Sequence, residues 1–93
     1  MTDILAPTAT LKLVYFAWVR ERVGIAEETV SPPPGTDTIA DLVRWLKSRD
    51  EGYEAAFANE AIVRAAIDHR HVKPVASIAG AREIAFFPPM TGG

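Results

Sequence analysis

The residues best suited to chemistry stand at the end of the chain, Met90-Thr91-Gly92-Gly93. A free α-carboxyl group has a pKa of roughly 3.3 to 3.7 and is a carboxylate at neutral pH. A carboxylate is a poor electrophile, so one of its oxygens must first become a leaving group, as in an acyl-adenylate. The activated carbonyl could then accept an amine or a sulfur. With sulfur it becomes a thiocarboxylate, a soft nucleophile and a portable sulfur atom. Glycine has no Cβ, so a Gly92-Gly93 tail can thread a narrow channel in a partner. With glycine at about 7% of residues, a Gly-Gly ending arises by chance in roughly 0.5% of chains. On these residues alone, a working terminus and an ordinary frayed one stand level.

The rest of the chain offers little competing chemistry. It has no cysteine, which excludes disulfides, thiolate-bound metals, a cysteine nucleophile and a persulfide carried on this chain. The patterns G-x-x-x-x-G-K, G-x-G-x-x-G, G-x-S-x-G and H-E-x-x-H are missing. No cofactor is expected to bind, and the ATP that activation requires would be used in trans by another enzyme. His69-x-His71 beside Asp68 could ligate a metal, but no third ligand is placed by spacing, so no metal site is expected. Glu27-Glu28 and Asp50-Glu51 are adjacent carboxylates. Neighbours on a strand point to opposite faces, and these acids read as solvated surface. Arg20-Glu21-Arg22 reads as a charged helical turn, and Trp18 and Trp45 as packing residues.

The elements that must position the tail fit one small domain of 93 residues with 48% apolar content. Leu11 to Phe16 reads as a strand, with Leu11, Leu13 and Tyr15 on one face. One or two helical turns over 17–23 stop at Gly24, and Ile25 to Val30 forms a second strand, completing a hairpin with a long connection. Ser31-Pro32-Pro33-Pro34-Gly35 must be a loop. Thr38-x-x-Asp41 matches a capping box, and Ile39, Leu42, Val43 and Leu46 follow at amphipathic-helix spacing. That helix is expected to end near Asp50-Glu51-Gly52, with a further helical turn within 53–60. Ile62 to Ile67 is strand-like, 72–78 weakly so despite Pro74, and Gly80 marks a turn. Glu83 to Phe87 is the last strand, and Pro88-Pro89 ends it. This order implies an α+β domain: a mixed sheet with one main helix across a face, and the first and last strands as central neighbours. Phe86 and Phe87 alternate, so one belongs in the core and the other marks a partner surface. Alternation alone does not choose between them. The domain is expected over 10–89, between a frayed lead-in over 1–9 and a projecting tail over 90–93.

Twelve acidic and ten scattered basic residues leave a net charge of -2, so no nucleic-acid partner is expected. No apolar run approaches the roughly 18 residues of a membrane span. Met1 to Pro7 lacks the basic and apolar regions of a signal peptide. The expected compartment is the cytoplasm.

Two segments resemble the small subunit of molybdopterin synthase, a ubiquitin-like sulfur carrier. Val14 to Gly24 is similar to that family's strand-then-turn with F-A-x-x-R-E-x-x-G. Ile84 to Gly93 is similar to its F-x-P-P-x-[ST]-G-G ending, which is the more specific of the two because other sulfur carriers usually lack the Pro-Pro step. With the intervening helix, the resemblance spans most of 11–93. It implies a β-grasp fold and a thiocarboxylate on Gly93. It implies an adenylating enzyme of the ubiquitin-activating type, and insertion of the tail into a large catalytic subunit within a heterotetramer of two small and two large chains. Phe86, Phe87, Pro88, Pro89, Met90, Thr91 and Gly92 would then be the partner-binding residues. Two carriers would supply the dithiolene sulfurs of molybdopterin, made from cyclic pyranopterin monophosphate, and the catalytic residues would belong to the large subunit. The chain departs from the family at Gly80-Ala81-Arg82-Glu83, where members often carry Gly-Asp-Glu, and in the basic, His-rich stretch from Asp68 to Lys73. The rival readings are a carrier for another acceptor (thiazole, cysteine or thiolated tRNA), a ubiquitin-like modifier and a purely structural domain.

Overall fold

A computed structural model describes residues 10–89. The expectations for 1–9 and 90–93 lie outside the described residues. The strands are β1 (Leu11–Tyr15), β2 (Glu27–Val30), β3 (Arg64–Ile67), β4 (Arg70–Val72) and β5 (Glu83–Phe87), and the helices are α1 (Ala17–Val23), α2 (Ile39–Lys47) and α3 (Glu51–Ala56). The strands form one sheet in the order β2-β1-β5-β3-β4. β1 runs parallel to β5, and the other three pairings are antiparallel. The first and last strands are thus central neighbours, as the order of elements implied.

Local chemistry accounts for most boundaries. Gly24 ends α1 in the left-handed conformation, at φ 100°, and its N–H donates to the Arg20 carbonyl at 2.8 Å. Thr38 caps α2 reciprocally: its hydroxyl accepts from the Asp41 N–H at 3.1 Å, and the Asp41 carboxylate accepts from the Thr38 N–H at 3.2 Å. The apolar stripe Ile39, Leu42, Val43 and Leu46 is buried, facing Leu11, Leu13 and Tyr15 of β1 and Ile84 and Phe86 of β5 in one core. Trp18 and Trp45 pack against it partly buried, and Arg22 and Arg49 stack on them at 4.5 and 4.9 Å.

Several boundaries differ from expectation. The second strand starts at Glu27, not Ile25. The main helix ends at Lys47, and a separate helix starts at Glu51, because the Asp50 carboxylate caps it by accepting from the Gly52 N–H at 3.3 Å. Glu60 to Ile62 is a 3-10 turn, so β3 begins only at Arg64. β4 ends at Val72, ahead of Pro74, and 73–78 holds only an isolated bridge from Ser77 to Thr38. β3 and β4 join through Asp68 and His69, both at positive φ (47° and 74°), as a two-residue hairpin loop requires.

Gly52 marks a close approach of α3 to the end of α1. A Cβ there would stand 2.8 Å from the Arg22 carbonyl oxygen and 3.3 Å from that of Val23. Backbone atoms cannot swing aside, so Gly52→Ala is expected to lower stability by about 1 to 3 kcal/mol. A urea midpoint equal to wild type would show that the helices part without cost.

Candidate functional site

The tail follows the central strand of the sheet. β5 is bonded on both edges, to β1 and to β3. The Phe86 carbonyl also accepts from the Phe16 N–H at 3.0 Å, just before α1 begins. Register decides the two phenylalanines. Phe86 stands opposite Tyr15 on the inner face and is 1% exposed, stacked on the Tyr15 ring at 6.1 Å and edge-on to Phe57 at 5.0 Å. Phe86 therefore packs the core, which corrects its place among the residues expected to meet a partner. Phe87 lies on the opposite face, half-buried, with the His71 ring at 5.1 Å. Pro88 and Pro89 are half-buried as well. Beside Phe87 on the outer face lie Val14, Ala85 and Arg64. The expected site residues Met90, Thr91, Gly92 and Gly93 lie outside the described residues.

One feature escaped sequence reasoning. Glu28 is not solvated surface. Pairing with Leu13 puts it on the inner face of β2, where one carboxylate oxygen accepts from the hydroxyls of Tyr15 at 2.7 Å and Tyr53 at 2.6 Å. Arg49 lies 3.4 Å from the other oxygen. The available signal was parity: Glu28 shares its face with Val30, two residues on, and Val30 is core. The arrangement ties the edge strand and α3 to β1. Its hydrogen bonds join three elements of the fold, which is a structural role.

This cluster sets an alkaline limit. Burial first, then the bond to the Glu28 carboxylate, pushes Tyr53 up to about 12 and raises Tyr15 well above its ordinary value. An unfolded tyrosine ionises near pH ~10. The fold therefore favours the neutral hydroxyls; this stabilisation is fully present below pH ~10 and is lost as the pH rises through the folded values. Tyrosinate absorbance is expected to appear late, together with unfolding, above pH ~11. Early ionisation of all tyrosines in a still-folded protein would contradict the arrangement.

The His69-x-His71 segment does not assemble a metal site. The Asp68 carboxylate is taken by the amides of Arg82 and Glu83, at 3.1 and 2.9 Å, and His71 turns to Phe87. Among the described residues no three His, Asp or Glu side chains converge, and no helix is long and apolar enough to cross a membrane.

Comparison with known proteins places the chain. The model of the ThiS family matches residues 13–93. The chain belongs to the ThiS family. It is 33% identical over 89 residues to the molybdopterin synthase sulfur carrier subunit of Escherichia coli strain K12, covering 89% of this chain and 99% of that relative. Among solved structures, the small archaeal modifier protein 1 of Haloferax volcanii superposes with a TM-score of 0.68 at 20% identity, covering 88% of this chain and 99% of that one. The protein of the same name from Methanosarcina acetivorans gives 0.62 at 18%, covering 95% and 100%. The fold is thus the ubiquitin-like β-grasp that the resemblance implied, with α2 laid across a mixed five-stranded sheet.

Proposed function

We propose that this chain is the sulfur carrier subunit of a molybdopterin synthase and that Gly93 carries the sulfur. The observation that carries this reading is the match to the Escherichia coli carrier subunit along nearly the whole of both chains. The Phe87-Pro88-Pro89-Met90-Thr91-Gly92-Gly93 ending, on a strand bonded along both edges, agrees with it.

The cycle balances with ATP and a sulfide equivalent. On an adenylating enzyme of the ubiquitin-activating type, the Gly93 carboxylate attacks the α-phosphorus of ATP and pyrophosphate leaves. The sulfide equivalent adds to the acyl carbon, and AMP leaves with one of the former carboxylate oxygens. The tail then enters the large subunit of a two-plus-two heterotetramer. There the thiocarboxylate sulfur bonds to a carbon of cyclic pyranopterin monophosphate as a C–O bond of that carbon breaks, its oxygen leaving as water or with the opened phosphate ester, and water cleaves the acyl–sulfur bond and restores the carboxylate. Two turns supply both dithiolene sulfurs. Catalytic side chains belong to the large subunit, and the cycle is assigned to the cytoplasm, where ATP is available.

A second reading is favoured by a specific likeness: both solved structures cited above are named as modifiers. A modifier would pass the same activated carbonyl to a lysine amine. Intact-protein mass spectrometry separates the two. Incubated with adenylating enzyme, ATP and sulfur donor, the chain is expected to gain the mass difference between sulfur and oxygen, located in the C-terminal peptide. Adding large subunit and pterin precursor should reverse the gain. Lysine-linked conjugates without sulfur exchange would favour the modifier, and neither product with an active adenylating enzyme would defeat both readings.

A further inference from the structure

We propose that the β3–β4 hairpin is a cationic docking strip for an acidic rim on the protein that receives the tail; this rests on the sulfur-carrier reading above. Arg64 pairs across the sheet with Phe87, the last residue of β5. Arg64, His71, Lys73, Phe87 and Pro89 line one open groove of about 440 Å³. The groove therefore begins where the described chain ends, at the root of the tail.

The strip carries three bases that no carboxylate pairs among the described residues. Arg64, Arg70 and Lys73 are exposed, and none forms an ion pair among the described residues. The hairpin's own acid, Asp68, is turned toward the Arg82 and Glu83 amides. Elsewhere Lys12, Arg44, Lys47 and Arg49 each meet a carboxylate, whereas Arg20, Arg22 and Arg82 form no ion pair among the described residues. In a chain of net charge -2, three of the six bases without an ion pair among the described residues thus fall within ten positions, 64–73, beside the root of the tail.

Geometry then selects the occupant. Four residues follow Pro89, and four extended residues reach at most about 14 Å. A protein that closes around Gly93 must bring its channel mouth within about 14 Å of this groove. Carboxylates on that mouth would meet Arg64 and Lys73 while the apolar tail root packs at Phe87 and Pro89. A polyanionic nucleic acid fits less well, since the chain as a whole is acidic, with a pI near 5.6.

The test measures association kinetics with the molybdopterin synthase large subunit. The double variant Arg64→Glu/Lys73→Glu should keep the wild-type melting temperature, both side chains being exposed. Rim charges act mainly on the association rate and its salt dependence. The variant's association rate constant is therefore expected to fall about tenfold or more at about 50 mM NaCl, and to come within about twofold of wild type at about 500 mM. A matched reversal at the other end of the central strands, Lys12→Glu/Arg82→Glu, should slow association less than about twofold. Equal slowing by both double variants would mean that net charge alone acts, and would overturn the docking strip. Wild-type kinetics in Arg64→Glu/Lys73→Glu would overturn it and leave the carrier reading standing. Failure of the wild-type chain to bind the large subunit would overturn both. Wild-type binding of duplex DNA, lost in Arg64→Glu/Lys73→Glu while large-subunit binding persists, would replace the acidic rim with a nucleic acid.

Discussion

A chain lacking Gly92 and Gly93 is expected to melt at the wild-type temperature and to transfer no sulfur. The two halves of this result have separate causes. Among the described residues, the hydrophobic core lies between Leu11 and Phe86 and the strand pairing ends at Phe87, so the truncation leaves that core and those pairings intact. The chemistry fails completely because adenylation requires a carboxyl group that can reach the activating site. A new terminus at Thr91 ends two residues short, a loss of reach of about 7 Å. It also presents a β-branched side chain where glycine would pass. Gly92→Phe should transfer nearly as little sulfur by obstructing the channel, and it should also melt as wild type. The measurement pairs thermal unfolding with molybdopterin formed in the complete system. A truncated chain that still supports molybdopterin formation would sink the carrier reading.

Phe86→Asp and Phe87→Asp are expected to fail in opposite ways. Phe86 is fully buried between Tyr15 and Phe57. Truncating such a phenylalanine costs about 3 to 5 kcal/mol, and a buried unpaired carboxylate adds to that. The total approaches or exceeds the roughly 5 to 15 kcal/mol that holds a domain together. Phe86→Asp should therefore be unfolded at room temperature by circular dichroism. Phe87 is half-buried on the outer face, where an aspartate can reach water. Phe87→Asp should stay folded, melt within a few degrees of wild type, and bind the large subunit at least about tenfold more weakly. It also sets a negative charge beside Arg64, so both the apolar contact and the cationic groove suffer. Matching stability and matching binding in the two variants would refute the division of labour between the faces.

The sequence by itself determined the features that depend on near neighbours. The Thr38–Asp41 capping box, the Ile39-Leu42-Val43-Leu46 stripe, the alternation of β1 and the Pro88-Pro89 stop are all encoded within a few residues, and each appears in the fold as expected. The family was legible as well, because the strand-then-turn segment and the terminal F-x-P-P-x-[ST]-G-G are contiguous strings. Only the tertiary structure decided which phenylalanine is core. Alternation fixes that Phe86 and Phe87 differ, but the face each takes follows from pairing Phe86 with Tyr15, some seventy residues earlier in the chain. The same holds for Glu28, whose partners Tyr15 and Tyr53 lie 13 and 25 residues away. It holds for Arg64 and Lys73, brought to the tail root by strand pairings that no local pattern announces. Periodicity is a local property of the chain, whereas burial, charge neutralisation and a shared groove depend on which distant segments the fold brings together.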